Sequence, residues 1–263
     1  MVLTATSPGH DDRPNEDFVG SAPGVVVLLD GAGIPRAEEI CRHGVAWYSH
    51  TLGATILDRL TRRSDLASAL ADSIEHVAGL HRDTCDLTNP SSPQATVAML
   101  RFADGRADYL VLADAYVALA PVAAGPRVIT DPREVDVRRE CSVPLLGLSA
   151  GTPEYQRALP AVVAALRARR NQPGGYWIAK DDPSAATEAV TGSASVDDLA
   201  AAALLSNGAS RVVDPYRLAD WTGVFELLRT GGPDTLLQRV REAEREAVGS
   251  LTADDATVAY CEL

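Results

Sequence analysis

Basic residues are in short supply: 24 Lys and Arg face 36 Asp and Glu in 263 residues, a formal net charge of -12. That balance argues against a nucleic-acid or anionic-membrane surface and invites cations. Aromatic residues make up 5% of the chain, with only three Phe, so Trp47, Trp177 and Trp221 read as core and sheet-packing residues rather than a ligand cage. No apolar run approaches the roughly 20 residues of a membrane span. The opening residues lack a basic stretch followed by an apolar one, so nothing reads as a signal peptide and the expected compartment is the cytoplasm. Cys41, Cys85, Cys141 and Cys261 contain no CxxC pair and read as reduced, part-buried thiols. His10, His43, His50, His76 and His81 contain no HxxxH or HExxH, which argues against a zinc hydrolase of the usual type. His76 and His81, at the end of a helical pattern, read as surface or cap residues. GxSxG, P-loop and GxGxxG motifs are absent too.

What is present is 46% apolar residues, enough for a sizeable core. Extended segments are predicted at residues 2–6 and 25–29, then helices over 35–60, with Pro35 at the first helical position, and onward from a Ser64 or Asp65 cap. Residues 95–130 read as a hairpin meander with turns at 103–105 and 125–126. A charged stretch follows with one Arg-rich helix over 153–170, whose Arg167, Arg169 and Arg170 read as a solvated face. Strands are expected at 176–179, 200–206 and 257–261, with helices near 215–229 and 233–247. The order predicts an α+β fold of two antiparallel sheets packed face to face with helix pairs outside. No repeat or linker divides the chain, so residues 1–263 are expected to form a single domain.

The informative residues are acidic and lie at element boundaries. Asp30 ends the 25–29 run before Gly31-Ala32-Gly33, where a sharp turn can expose both the carboxylate and the Gly31 carbonyl. Asp17 opens a short strand, Asp114 separates two hairpin strands, and Asp254-Asp255 precedes the last strand. Each Asp alone is a turn former first. Converging at one rim, together they suit Mg²⁺ or Mn²⁺, which take oxygen ligands, and two such ions can activate water against a phosphoryl group.

The blocks Asn15-Glu16-Asp17, Val26-Val27-Leu28-Leu29-Asp30-Gly31, Pro93-Gln94-Ala95-Thr96-Val97, Leu112-Ala113-Asp114, Leu204-Leu205-Ser206-Asn207-Gly208 and Asp254-Asp255-Ala256-Thr257 occur in this order along essentially the whole chain. In order and context they resemble the metal-dependent protein phosphatases of the PPM, or type 2C, family, in a standalone bacterial form. The resemblance implies a four-layer αββα sandwich with a binuclear Mn²⁺ or Mg²⁺ centre. It implies that Asp30 bridges the ions, Gly31 offers its carbonyl, Asp254 holds the second ion, Asp17 and Glu16 act through metal-bound water, and Asp114 faces a weak third position. It further implies attack on phosphorus by a hydroxide bridging the ions, phosphate bound by Arg13, and a flap-like insertion within 131–175 that sets specificity. The arginine's spacing is shifted from the family's usual one. The implied substrate is a phosphorylated protein or a small phosphomonoester.

Three positions depart from the pattern. Asn207 stands where the family carries a metal-binding Asp, and the lost charge weakens that site. Ala32 stands where some relatives carry a histidine, and Ala113 replaces a Gly. Two readings follow: a metal-dependent phosphomonoesterase with a weakened second metal, or a catalytically impaired relative that binds a phosphorylated partner or ligand.

Overall fold

The computed structural model describes residues 1–33, 39–61, 65–246 and 253–263. Among these described residues ten strands form two five-stranded sheets in which every neighbouring pair is antiparallel. One sheet has the order β1 (Val2–Ser7), β10 (Ala256–Glu262), β9 (Leu199–Leu205), β6 (Tyr116–Pro121), β7 (Arg127–Ile129). The other runs β2 (Phe18–Ala22), β3 (Val25–Ala32), β4 (Gln94–Ala103), β5 (Arg106–Leu112), β8 (Val190–Ser195).

The unbroken apolar run in β3 follows from the layering. Val26 and Leu28 face the opposite sheet and pack with Leu100, Val117 and Leu204. Their neighbours Val25, Val27 and Leu29 pack on the helix side with Tyr48, Leu52, Ile56, Leu70 and Ile74. A strand buried on both faces needs no polar alternation. The helix partners belong to α1 (Gly44–Thr61) and α2 (Leu66–His81), and the Asp65 carboxylate caps α2 by accepting from the Ser68 amide at 3.0 Å. The second sheet is covered by α5 (Asn207–Ser210) and α6 (Trp221–Glu246), whose Val224, Leu228, Leu236 and Val240 pack on Ala203, Leu205 and Val258. The predicted pair of helices is present within α6, the two meeting at a kink where Gly232 takes φ 74° before Pro233. The result is the expected αββα sandwich.

Between β7 and β8 lie α3 (Arg133–Cys141) and α4 (Pro153–Ala168). Asp131, almost fully buried, accepts from the Arg133 amide at 3.0 Å and from its guanidinium at 2.7 Å, which seats the start of α3. The expected strand at 176–179 is only a pair of isolated bridges. Tyr176 and Ala179 bond to the backbone of Arg169, Asn171 and Ala95, but between them the Ile178 backbone is taken by a side chain: Asn171 Oδ1 accepts from the Ile178 amide at 2.8 Å, and its Nδ2 donates to the Ile178 carbonyl at 3.1 Å. Strand β8 was not foreseen. Helix α1 begins at Gly44, while Pro35 and Ser64, two of the predicted helix signals, lie outside the described residues. No described helix is long and apolar enough to cross a membrane.

Candidate active site at the sheet rim

Antiparallel pairing brings the acidic boundaries to one edge. The end of β3 meets the start of β4 through Asp30 opposite Thr96, and the start of β2 meets β3 through Phe18 opposite Leu29. In the other sheet the starts of β6 and β10 both lie against the end of β9, at Tyr116–Leu205 and Val258–Leu205. The Ala113-Asp114-Ala115 link crosses from β5 to β6 at this same edge. Asp17, Asp30, Asp114, Asn207 and Asp254 therefore share the rim.

Asp17 is 4% exposed. Neither of its carboxylate oxygens makes a hydrogen bond of ordinary geometry, although the hydroxyls of Thr257 and Ser206 lie close enough to moderate its charge. Burial pushes its pKa up to about 7, with Asp255 and Asp254 adding repulsion. Asp30 is likewise held well above the ordinary range by burial and then by Asp17, Asp254 and Asp114, and is eased by the Asn207 amide, which donates to its Oδ2 at 3.2 Å. Glu16 rises to about 7 through burial and Asp255. Asp114 also rises to about 7, through burial and Glu134 of α3. Burial raises Asp254 as well, opposed by Arg211.

The backbone beneath these groups is tightly held. Ser49 Oγ of α1 donates to the Glu16 carbonyl at 2.5 Å, and His50 Nε2 donates to the Asp17 carbonyl at 2.9 Å. Asp255 accepts from the Gly9 amide at 2.7 Å and the Glu16 amide at 2.6 Å. It fastens the acidic segment to the last strand, a positioning part that sequence reasoning did not separate from Asp254. At Gly31 a Cβ would lie 2.4 Å from the Glu16 carbonyl oxygen, so the approach of these two segments requires glycine.

On the β6, β9 and β10 flank the carboxylates have side-chain partners. Asn207 Nδ2 donates to Asp114 Oδ2 at 2.9 Å. Arg211 reaches Asp254 Oδ2 at 2.8 Å and Glu244 at 3.1 Å. Neither the Arg211 contact nor the internal use of Asn207 was anticipated from the sequence.

A cleft of about 460 Å³ opens above the rim, lined at its floor by Asp30, Asp114, Asn207 and Asp254 and on its walls by Arg138, Arg167, Arg170 and Arg211. Val135, Val163 and Leu166 of α3 and α4 complete the wall. The Arg-rich helix thus does not present a wholly solvated face. Arg170 is braced by Tyr176 Oη at 3.0 Å and the Pro90 carbonyl at 2.6 Å, and Arg169 by the Gly174 carbonyl at 2.5 Å. Arg13 is exposed and does not line the cleft, although it is near enough to lower the Glu16 pKa.

Sequence reasoning also missed a convergence elsewhere. Cys41, His43, His81 and Cys85 bring one ligand atom each within 4.8 Å of all the others. Tests for CxxC, HxxxH and HExxH pass over the C-x-H and H-x₃-C spacings that carry it. His81 is 2% exposed rather than a surface residue.

No protein-family model matches the chain, and no curated protein matches it in sequence. Solved structures do match. The serine/threonine phosphatase PstP/Ppp of Mycobacterium tuberculosis superposes with a TM-score of 0.63 at 19% identity, covering 100% of this chain and 98% of that one. Stp1, a serine/threonine phosphatase of Staphylococcus aureus, gives 0.61 at 15%, covering 100% and 94%. The catalytic domain of PstP in complex with two manganese ions gives 0.58 at 17%, covering 100% and 97%. The chain has the fold of the bacterial serine/threonine phosphatases of the PPM type.

Proposed function

We propose that this chain is a divalent-cation-dependent phosphomonoester hydrolase, acting on phosphoserine or phosphothreonine of a protein or on a small phosphomonoester. The observation that carries this reading is Asp17: two buried, unpartnered carboxylate oxygens beside Asp30. A buried anion pair eased only by an amide and two nearby hydroxyls is costly unless it is protonated or meets a cation. All-oxygen donors suit Mn²⁺ or Mg²⁺, and a match of this fold holds two manganese ions. Asp30, Asp17 and the Gly31 carbonyl would hold the principal ion, with Glu16 in its outer shell. Asp254, Asp114 and the neutral Asn207 would make a weaker second position. When bound, the metal supplies Lewis-acid polarisation and a nucleophile at neutral pH.

The remaining work falls to the chain. Arg138, Arg167 and Arg211 on the cleft wall offer guanidinium donors to phosphate oxygens. Asp30 and Asp254 orient the reacting end of the cleft, and the apolar residues of α3 and α4 would contact whatever bears the phosphate. We read residues 131–175 as the specificity-setting flap of a single domain. Arg13, exposed beside Glu16, would meet only the outer side of a bound phosphate.

A second reading, a catalytically impaired relative that binds a phosphorylated partner or ligand, is favoured by the Asn207 amide on Asp114 and by the Arg211 guanidinium on Asp254. Hydrolysis of p-nitrophenyl phosphate with and without Mn²⁺ separates them. Mn²⁺-dependent turnover by the native chain that disappears in Asp30→Ala is expected. Turnover only in Asn207→Asp would favour the binding protein, and none in either chain would overturn the enzyme reading.

A further inference from the structure

The fold brings Cys41, His43, His81 and Cys85 together on the helix side of the β3 sheet, between the turn before α1 and the end of α2. Two local features build the cluster. The Cys41 carbonyl accepts from the Gly44 amide at 2.9 Å, and Gly44 sits at φ 77°, a tight turn that turns Cys41 and His43 toward one another. At the end of α2 the His81 carbonyl accepts from the Cys85 amide at 2.9 Å, continuing the helical spacing for one turn. That spacing keeps His81 and Cys85 on one face.

The distances have the size of a coordination shell. Cys41 Sγ lies 3.4 Å from His81 Nδ1 and 3.7 Å from His43 Nδ1, and Cys85 Sγ lies 3.4 Å from His43 Nδ1. Tetrahedral zinc with bonds of roughly 2.3 Å to sulfur and 2.0 Å to nitrogen sets sulfur and nitrogen about 3.5 Å apart. Two thiols and two imidazoles are a common structural zinc set. The surroundings favour a closed site. Cys41 and His81 are buried, the Trp47 ring stacks on His43 with centroids 4.4 Å apart, and it lies 5.1 Å from His81.

We propose that these four side chains bind a structural zinc ion. The site joins the turn before α1 to the end of α2. Since α1 also supplies the Ser49 and His50 contacts to the backbone of Glu16 and Asp17, zinc would anchor the helix that positions the acidic rim. The four ligands close the shell and leave no position for substrate, so the ion's role is structural.

The test is metal analysis of the full chain, purified without a histidine tag after growth with zinc. One zinc per chain is expected to survive gel filtration and a weak chelator, and to remain in Asp30→Asn and Cys141→Ser. Replacement by Co²⁺ should give the visible ligand-field bands and sulfur charge-transfer absorption of a tetrahedral thiolate centre. The double variant Cys41→Ser/Cys85→Ser should lose the metal and these bands, whereas His43→Cys, which keeps four ligands as three thiols and one imidazole, should keep them. If the serine variant does not fold, the cobalt spectrum of the native chain decides. Absence of both zinc and cobalt uptake, zinc retention by a folded serine variant, or a Cys41–Cys85 disulfide in the freshly isolated chain would each overturn the proposal.

Discussion

The two flanks of the rim each carry buried or half-buried aspartates and neutralise them differently. Beside β2 and β3, Asp17 has both oxygens buried and unpartnered, and Asp30 accepts a backbone amide. Beside β6, β9 and β10, Asp114 accepts from the Asn207 side chain and Asp254 pairs with Arg211. A buried carboxylate can be quieted by a proton, a diffusible cation or a fixed donor. The second flank has a side-chain amide and a guanidinium built into the chain, so its need for an ion is smaller. The first flank has only the Asn207 amide on Asp30 and the nearby Thr257 and Ser206 hydroxyls, with no charged donor on either carboxylate among the described residues, and the ion requirement concentrates there.

The sharpest way to break this contrast is Asp17→Asn. In the metal-free protein it removes a buried charge with no partner and should stabilise the fold by about 2 kcal/mol, while abolishing the Mn²⁺-induced rise in melting temperature. Calorimetry with and without Mn²⁺ reads both; a rise that persists in the variant would move the principal ion away from Asp17. On the other flank, Arg211→Gln removes the Asp254 ion pair and one of the two guanidinium partners of Glu244 among the described residues, leaving Arg241. We expect a loss of about 1 to 2 kcal/mol without metal and a stronger stabilising response to Mn²⁺. An unchanged response would mean that Arg211 does not compete with a cation.

A pH titration of the metal-free protein separates protonation from ion binding. Asp17, Asp114 and Glu16 have folded-state pKa values raised to about 7. Their contribution to stability is complete below the ordinary carboxylate range and is lost as pH rises through about 7. The melting temperature should therefore fall over that window, and saturating Mn²⁺ should flatten the fall. A melting temperature independent of pH from 4 to 7.5 would contradict it. The smallest effect is expected at the link between the flanks. Ala113 holds φ 63°, a left-handed conformation that glycine adopts without strain, so Ala113→Gly should add about 0.5 kcal/mol after glycine's own entropy cost. A loss on chemical denaturation would show that the Ala113 methyl contributes more than its backbone strain costs.

Much of this was legible residue by residue. The run of five apolar residues before Asp30 announced a strand covered on both faces, the Asp65 cap began α2, and the acidic positions at strand ends marked the rim. The arginines read less well. Arg167 faces the cleft and Arg211 crosses to Asp254, because helix placement decides which cation meets which anion. The extended 176–179 segment reads as a strand from its composition, yet it pairs only at isolated bridges, and the Asn171 side chain takes the Ile178 backbone bonds a neighbouring strand would have used.

By itself the sequence determined the layer architecture and the chemistry available at the rim. Apolar periodicity and turn residues act over a few neighbours, and the end of a strand is a local property. Only the tertiary structure decided which carboxylates are left without partners, that Asn207 is spent on Asp114, and that Cys41 and His43 meet His81 and Cys85 across 40 residues of chain. Those outcomes depend on distances of a few ångströms between segments remote in sequence, and such distances are set by the packing of whole helices on sheets.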